Sequence, residues 1–205
     1  MPQVSLNKLV QQTQSGEALA SFPTDTVPAV AARPDQGDRI YALKQRPRDK
    51  PLILMGATLA DLLPYVVGTA DEIATWQQLT DQYWPGALTL VLPASDLVPP
   101  QINPQQTGTI GIRVPGHVLA RHILSQTGPL ATTSVNRSGQ PALERPEEIA
   151  AHFPELLLLS PAAIAALKGQ LGDFALTASG IPSTVIRWQS GGWQLIRQGA
   201  VTVEP

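Results

Sequence analysis

The sequence predicts an α/β protein in which helices cover a mixed sheet of parallel and antiparallel strands. Short apolar runs typical of buried strands recur among segments with helical periodicity along all 205 residues. Some strand-like runs follow one another directly, which argues against a regular alternation of strand and helix. Hydrophobic residues make up 43% of the chain, enough for a sizeable core. This length suits one domain, so we expect residues 1–205 to form a single domain.

Caps and apolar periodicity place the helices. Ser5 can cap a first helix that has Leu6 and Leu9 on one face and ends at Gly16. Residues 156–171 fit either a helix or a strand, and the polar region near Gln140 is either a hinge or a loop. The other predicted helices cover residues 37–45, 59–65, 71–82, 116–126 and 146–153.

Apolar runs bounded by turn residues place the strands. They cover residues 18–22, 51–55, 87–92, 109–114 and 129–133. Near the C-terminus, residues 183–188 and 193–197 flank the sequence Gln-Ser-Gly-Gly, which is typical of a hairpin turn.

Composition excludes several classes of function. A net charge of -2 with 15% charged residues argues against a broad nucleic-acid surface, so any positive patch must be local. Cysteine is absent, which excludes disulfides, thiolate catalysis and cysteine-ligated zinc. His117, His122 and His152 leave little scope for a histidine-rich metal site. No apolar stretch reaches membrane-spanning length and no signal-like N-terminus is visible, so we expect a cytoplasmic protein.

The densest charge cluster is the segment 44–50, between a predicted helix and a buried strand. Residues 33–50 carry six basic and three acidic side chains, a local charge of +3. Arginine presents a planar fork to phosphate oxygens, and lysine adds a point charge. The segment therefore indicates an anion-binding loop, although a solvated loop with cations at a helix C-terminus explains it equally well.

Other polar residues interrupt or follow apolar strands. Thr24 follows the first strand, where hydroxyls suit either ligand contacts or a turn. Thr89 and Arg113 lie within apolar strands, so the hydroxyl needs a partner and the guanidinium needs an anion, in a salt bridge or in a ligand. The loop 132–139 offers several uncharged donors to phosphate oxygens. The sequence contains neither glycine-rich nucleotide motif, nor a visible serine–histidine–aspartate arrangement.

Taken in order, these segments resemble the YrdC/TsaC family of threonylcarbamoyl-AMP synthases, from about Ser5 to Gly199. The most specific pieces are Lys44-Gln-Arg46 with Lys50-Pro-Leu52, Trp84-Pro-Gly86 with Thr89, Ile112-Arg-Val114, Thr133-Ser-Val-Asn136 with Ser138-Gly139, and Pro182-Ser-Thr-Val185. The resemblance implies a twisted, open mixed sheet with flanking helices and a concave, positively charged cavity.

It also implies a reaction, which condenses L-threonine, bicarbonate and ATP into threonylcarbamoyl-AMP and pyrophosphate. A downstream threonylcarbamoyl transferase then modifies tRNA. ATP implies Mg²⁺, for which no dedicated protein cage is readable in the sequence, consistent with a metal held by phosphates and water. Some members of the family have been described as binding double-stranded RNA.

The resemblance assigns roles by matching motif positions. Lys44 and Arg46 match the family's Lys-x-Arg pair, which implies phosphate contacts and stabilisation of charge during adenylation. The other nucleotide-binding residues that it implies are Lys50, Thr133, Ser134, Asn136, Ser183 and Arg197. The substrate-binding residues that it implies are Thr24, Thr89 and Arg113, with Thr24 holding L-threonine.

The chain departs from the family pattern on the expected threonine side. It reads Val27-Pro28-Ala29-Val30 where the family usually has valine, an aromatic residue, glycine and leucine. Val135 and Ala87 replace the usual alanine and proline. A paralogue of the same fold with another carbamoyl acceptor therefore stays open. A non-catalytic double-stranded RNA- or ribosome-binding module that uses the same basic cavity is the other alternative.

Overall fold

An eight-stranded mixed sheet with helices on both faces organises the computed structural model, which describes residues 3–177 and 179–204. The predicted fold class is confirmed. The strands are β1 (Gln3–Val4), β2 (Ala20–Phe22), β3 (Ala29–Ala32), β4 (Ile53–Met55), β5 (Leu88–Pro93), β6 (Thr109–Arg113), β7 (Leu130–Ser134), β8 (Leu158–Leu159), β9 (Thr184–Gln189) and β10 (Gly192–Arg197). The helices are α1 (Leu6–Gln14), α2 (Gly37–Lys44), α3 (Leu59–Leu62), α4 (Ala70–Tyr83), α5 (Val118–Thr127), α6 (Pro146–His152) and α7 (Pro161–Leu171), with short 3₁₀ turns at Pro34–Gln36 and Leu63–Tyr65.

The main sheet has the strand order β10-β9-β5-β6-β4-β7-β3-β2. Two of its pairs, β4 with β6 and β5 with β9, are parallel, and the others are antiparallel. The short strands β1 and β8 form a separate parallel pair. The C-terminal hairpin β9–β10 therefore joins the sheet next to β5, far along the chain from the N-terminal strands at the opposite edge.

The two faces of the sheet carry separate apolar cores. Along β4, Leu54 belongs to one core and Met55 to the other, as expected from the alternation of side chains in a strand. The first core packs against α2, α3, α4 and α6. The second packs against α1, α5 and α7, and its strand residues come from β2, β3, β4 and β7 of the main sheet and from the β1–β8 pair. On this second face the side chains of β5, β6 and β9 line a cavity instead.

Local signals in the sequence explain the best-predicted elements. The Ser5 hydroxyl accepts a hydrogen bond from the Lys8 amide at 3.3 Å, and Gly16 follows α1 with a φ of 80°. The predicted hairpin is confirmed, because Ser190 and Gly191 both have positive φ in a two-residue turn.

The sequence alone did not assign the secondary structure of three regions. Strand β3 lies in a stretch for which the sequence analysis predicts no element, because its mostly alanine residues show neither strand propensity nor alternation. The ambiguous residues 156–171 resolve into β8 followed by α7. The region near Gln140 is a loop without helix or strand. Within the described residues, no helix combines the length and the apolar character needed to cross a membrane.

Candidate active site

A cavity of about 590 Å³ lies over β5, β6 and β9 and extends to β4, β7 and the loop after α2. Within the part of the chain that the structure describes, its lining contains three arginines and no aspartate or glutamate. The polar side chains of the lining are Thr26, Arg46, Thr89, Arg113, Thr132, Thr133, Ser134, Asn136, Gln140, Ser183 and Arg197. The arrangement therefore suits an anion that also needs several hydrogen-bond donors.

The loop after α2 brings one of its cations to the cavity. Gln45 ends α2 in the left-handed conformation, with a φ of 52°, and turns the chain back toward β4. The Arg46 guanidinium donates to the carbonyls of Lys50 and Pro51, both at 3.0 Å, and lines the cavity. Lys50 itself is exposed and lies outside the lining, and Arg48 pairs with Asp38 at 2.7 Å. The loop thus presents Arg46, rather than a row of cations.

Lys44 lies behind the cavity wall and joins the two predicted anion-binding segments. Its side chain is 1% exposed, and its ammonium donates to the Ser134 carbonyl and, at 2.8 Å, to Asn136 Oδ1. The Ser134 hydroxyl donates to the same Asn136 oxygen at 2.6 Å. Burial, and then the charge of Arg46, lower the pKa of Lys44 to about 7. Lys44 therefore holds the Ser134–Asn136 loop from below, while that loop faces the cavity.

Arg113 is buried and tied to the segment after β2. Its exposure is 2%, and its guanidinium donates to Asp25 Oδ1 at 2.7 Å, to the Thr26 hydroxyl at 2.8 Å and to the Gly86 carbonyl at 2.9 Å. Burial lowers the pKa of Arg113, and the Asp25 carboxylate opposes this shift. The salt bridge that the sequence left open is present, and Arg113 also lines the cavity.

Thr26, rather than Thr24, reaches the cavity from the same segment. Thr24 is fully buried, and its hydroxyl donates to the Val27 carbonyl at 2.7 Å. Thr26 lines the cavity beside Arg113. Sequence reasoning missed Thr26 and Asp25 as site residues. The signal for Asp25 was present, since Arg113 in an apolar strand needs an anion and Asp25 follows another strand end.

The C-terminal segment meets β5 at the cavity. Thr89 and Ser183 exchange a hydroxyl–hydroxyl hydrogen bond of 2.8 Å, and both are buried. Arg197 donates to the Ser183 carbonyl at 2.8 Å, which ties β10 to the same point. Thr133, Ser134 and Asn136 complete the wall from the β7 side. The structure thus gathers eight of the eleven predicted residues in one lining, leaving Lys44, Lys50 and Thr24 outside it, and their roles stay predictions.

The departures from the family pattern sit close to this wall. Ala29 is a buried residue of β3 that lines the cavity, and it is not among the residues with positive φ, so its backbone does not require glycine. The Pro28 carbonyl accepts from the Val135 amide at 3.0 Å. Two of the residues that depart from the family pattern, Pro28 and Val135, are therefore joined by a backbone hydrogen bond.

Comparison with known proteins identifies the family. The family model that combines Sua5, YciO and YrdC, described as telomere recombination, matches residues 12–199. The chain belongs to the Sua5/YciO/YrdC family. Over 173 residues it is 34% identical to a protein of Vibrio campbellii named threonylcarbamoyl-AMP synthase, which covers 81% of this chain and 87% of that protein. A Bacillus subtilis protein of the same name is 34% identical over 196 residues, or 91% of this chain and 51% of that protein.

Solved structures of Sua5/YciO/YrdC proteins share the fold. The crystal structure of P. abyssi Sua5 in complex with L-threonine has a TM-score of 0.77 at 29% identity, covering 95% of this chain and 54% of that one. Escherichia coli YciO, at 23% identity, shows the likeness of fold alone, with a TM-score of 0.78 over 97% of this chain and 91% of that one. The chain spans about half the length of the B. subtilis and P. abyssi proteins.

Proposed function

We propose that this chain is a threonylcarbamoyl-AMP synthase, which condenses L-threonine, bicarbonate and ATP into threonylcarbamoyl-AMP and pyrophosphate. The observation that carries the proposal is the meeting of Arg46, the Ser134–Asn136 loop and Arg197 in one cavity beside Thr26 and Arg113. The synthase names of relatives at 34% identity support this reading over a non-catalytic RNA-binding module.

The reaction suits a site without a protein nucleophile. The threonine amine and bicarbonate form a carbamate with loss of water. A carbamate oxygen attacks the α-phosphorus of ATP, a new P–O bond forms, and the bond to the β-phosphate breaks to release pyrophosphate. The protein's contribution to such a transfer is positioning and the stabilisation of negative charge. Arginines and hydroxyl donors around one cavity supply both.

The proposed roles divide the cavity between the two substrates. Arg46, Thr133, Ser134, Asn136, Ser183 and Arg197 bind the nucleotide, and Arg46 also stabilises charge at the phosphates during adenylation. Lys44 orients the Ser134–Asn136 loop, and a phosphate bound above that loop would favour the charged form of its amine. Lys50, exposed outside the lining, adds a solvent-screened charge for the phosphates. Thr89, which meets the nucleotide residues at Ser183, and Arg113 bind L-threonine, with Thr24 supporting the Thr26 hydroxyl beside Arg113.

We propose that Mg²⁺ arrives with ATP rather than in a protein cage. Among the described residues, no group of three or more histidine, aspartate or glutamate side chains is placed to hold a metal. Asp25, which borders the cavity through Arg113, is paired with that arginine. When bound, Mg²⁺ would neutralise phosphate charge, and its ligands would be phosphate oxygens and water, as is usual for this ion in nucleotide sites.

The product defines the proposed partners. A mixed anhydride of a carbamate and AMP is unstable in water, so a threonylcarbamoyl transferase acting on tRNA must take it up. We place this function in the cytoplasm, in a single domain formed by residues 1–205. Direct binding of tRNA or double-stranded RNA is a separate proposal, and its test is an RNA titration at two salt concentrations, because phosphate contacts weaken steeply with salt.

Pyrophosphate release tests the synthase. Purified chain with ATP and Mg²⁺ should release pyrophosphate only when both L-threonine and bicarbonate are present, and Arg46→Ala should abolish that release. Release that is independent of threonine would overturn the proposal. If a different amino acid stimulates pyrophosphate release, the chain is instead a paralogue with another carbamoyl acceptor. Ala29, which lines the cavity where the family usually has glycine, is the structural reason to test this.

A further inference from the structure

Arg187 is a cation on the cavity side of the sheet to which the proposed function gives no role. Along β9, Val185 lines the cavity and Ile186 belongs to the core on the opposite face. Because side chains alternate along a strand, Arg187 lies on the same face as Val185. Its neighbour on β5 is Val91, which also lines the cavity. Arg187 therefore borders the site without belonging to the part already described.

The register places Arg187 in a row of paired residues that crosses the cavity floor and continues to Gln194 on the edge strand β10. Val91 pairs with Arg187 on one side and with Gly111 on the other, and Gly111 pairs with Ile53. Arg187 carries the only charge among these four residues. Its Cα lies two strand spacings from Gly111, about 10 Å. Ile53 Cγ2 covers Gly111, at 2.7 Å from where a Cβ would stand. A ligand lying over Val91, the neighbour of Arg187, comes within reach of the long Arg187 side chain.

Unlike Arg113, Arg187 has no ion-pair partner in the part of the chain that the structure describes. Its Nε is buried and makes no hydrogen bond within residues 3–177 and 179–204. Leaving a buried donor of a charged group unpaired costs stability. A bound anion would satisfy this guanidinium.

The charge of the cavity indicates which anion. The positive charge of Arg113 is offset by Asp25 at 2.7 Å. Arg46 and Arg197 donate to neutral backbone carbonyls, and neither forms an ion pair in the part of the chain that the structure describes. A triphosphate carries at least one negative charge on each of its three phosphates, so a further guanidinium near the chain adds to the neutralisation that Arg46, Arg197 and an ATP-bound Mg²⁺ would supply. Arg187 supplies a third guanidinium on the same face of the sheet.

We propose that Arg187 is an additional phosphate-binding residue of the cavity, contacting the polyphosphate chain of ATP or the pyrophosphate that leaves it. The proposal rests on the proposed function in taking the cavity as a nucleotide site. A small polyanion fits better than an RNA backbone, because an extended backbone needs a run of cations, whereas β9 and β10 carry Arg187 and Arg197 alone.

Calorimetric titration of the full chain with inorganic tripolyphosphate, without threonine or bicarbonate, tests the contact. Arg187→Ala should weaken binding about tenfold or more, as expected for loss of a charge-assisted contact. Arg187→Gln keeps more of the side-chain packing and should show the same loss of affinity. It replaces Arg187→Ala in the test if that variant folds poorly. The matched control is Arg39→Ala, which removes an exposed arginine on α2 and should bind within about twofold of wild type. A parallel titration with pyrophosphate shows which phosphates Arg187 contacts. If the Arg187 variants also bind pyrophosphate more weakly, the contact is to the group that leaves.

Three results would overturn the proposal. The first is an equal loss of tripolyphosphate affinity in Arg187→Gln and Arg39→Ala. The second is that the wild type does not bind tripolyphosphate. The third is that Arg187→Gln weakens binding of a double-stranded RNA oligonucleotide but not of tripolyphosphate. The outcome is separate from that of the synthase assay, because tripolyphosphate binding needs neither threonine nor turnover. A chain that releases no threonine-dependent pyrophosphate but loses tripolyphosphate affinity in Arg187→Gln retains this contact and loses only the proposed reaction.

Discussion

The Asp25 carboxylate holds the Arg113 guanidinium at 2.7 Å and accepts a second hydrogen bond, at 2.9 Å, from the Gly116 amide. Arg113 is the last residue of β6, and Gly116 precedes α5, so one carboxylate fixes both the cation and the turn after its strand. The Arg113 side chain is 3% exposed and that of Asp25 is 21% exposed. Removing only one partner of such a pair strongly destabilises the folded protein, because the other charge stays buried without its partner.

Asp25→Asn should therefore lower the free energy of unfolding by about 2 kcal/mol, less than for a fully buried pair because Asp25 is partly exposed. The substitution keeps the shape of the side chain while removing the charge that offsets Arg113. Urea denaturation measures the change. Asp173→Asn is the matched control, since it breaks the exposed pair with Lys168 and should cost less than about 1 kcal/mol. Equal costs in the two variants would contradict the role of Asp25.

A second prediction concerns the floor of the cavity at Gly111. A Cβ at this position would lie 2.7 Å from Ile53 Cγ2 and 3.6 Å from Thr89 Cγ2. Gly111→Ala should therefore cost about 1–3 kcal/mol of stability, the usual range for overpacking. Adding Ile53→Ala removes the clashing methyl group, so the double variant should be more stable than the sum of the single changes predicts.

The control for this pair is Gly169→Ala in the last turn of α7. A Cβ there meets nothing within 4 Å, so the substitution should be neutral or stabilise the protein by up to about 1 kcal/mol. Thermal unfolding of the four variants gives the comparison. If the stability loss of the double variant equals the sum of the losses in Gly111→Ala and Ile53→Ala, the contact with Ile53 is not what excludes a larger residue at position 111.

Short-range signals made most of the secondary structure predictable. The Ser5 cap, the Gly16 stop and the Ser190-Gly191 turn act within a few residues, so the sequence displays them directly. Strand β3 lacks such a signal, because its alanines acquire their strand conformation from pairing with β2 and β7. Its position depends on tertiary contacts that no local pattern shows.

The site was predictable as a set of residues but not as a geometry. Arg113 was recognisable as a cation in need of an anion, yet its partner Asp25 is 88 positions away along the chain. Lys44 belongs to a visibly basic segment, and nothing in that segment shows that its side chain turns inward to Ser134 and Asn136. The choice between Thr24 and Thr26 depends on which hydroxyl the turn directs toward Arg113.

A third prediction separates two cations of the loop after α2. Arg46 lines the cavity, whereas Lys50 is exposed outside the lining. Arg46→Ala should weaken ATP binding by about tenfold or more, because it removes a charge-assisted contact, and Lys50→Ala should weaken it by no more than about threefold. Calorimetric titration with ATP measures both. A larger loss in Lys50→Ala than in Arg46→Ala would mean that the loop rearranges to bring Lys50 to the phosphates.

The last prediction follows from the buried ammonium of Lys44, whose pKa falls from 10.5 to about 7 mainly because of burial. Below pH 7 both folded and unfolded chains carry the proton, so the cost of burying the charge is present in full. Between pH 7 and 10.5 the unfolded chain holds the proton and the folded chain does not. The contribution of this group to stability therefore rises with pH through that window, by at most about 1.4 kcal/mol per pH unit.

Lys44→Met removes the titrating group, so its stability relative to wild type should fall as the pH increases from about 7 to about 9, by roughly 1–2 kcal/mol. The lost hydrogen bonds to Ser134 and Asn136 lower stability at every pH and do not alter this slope. Lys8→Met, the same change at an exposed position on α1, should follow the wild-type curve. Urea denaturation at several pH values gives the slopes. Parallel curves for wild type and Lys44→Met would show that Lys44 keeps its proton in the folded chain, and that the Ser134–Asn136 loop rests on a permanently charged ammonium.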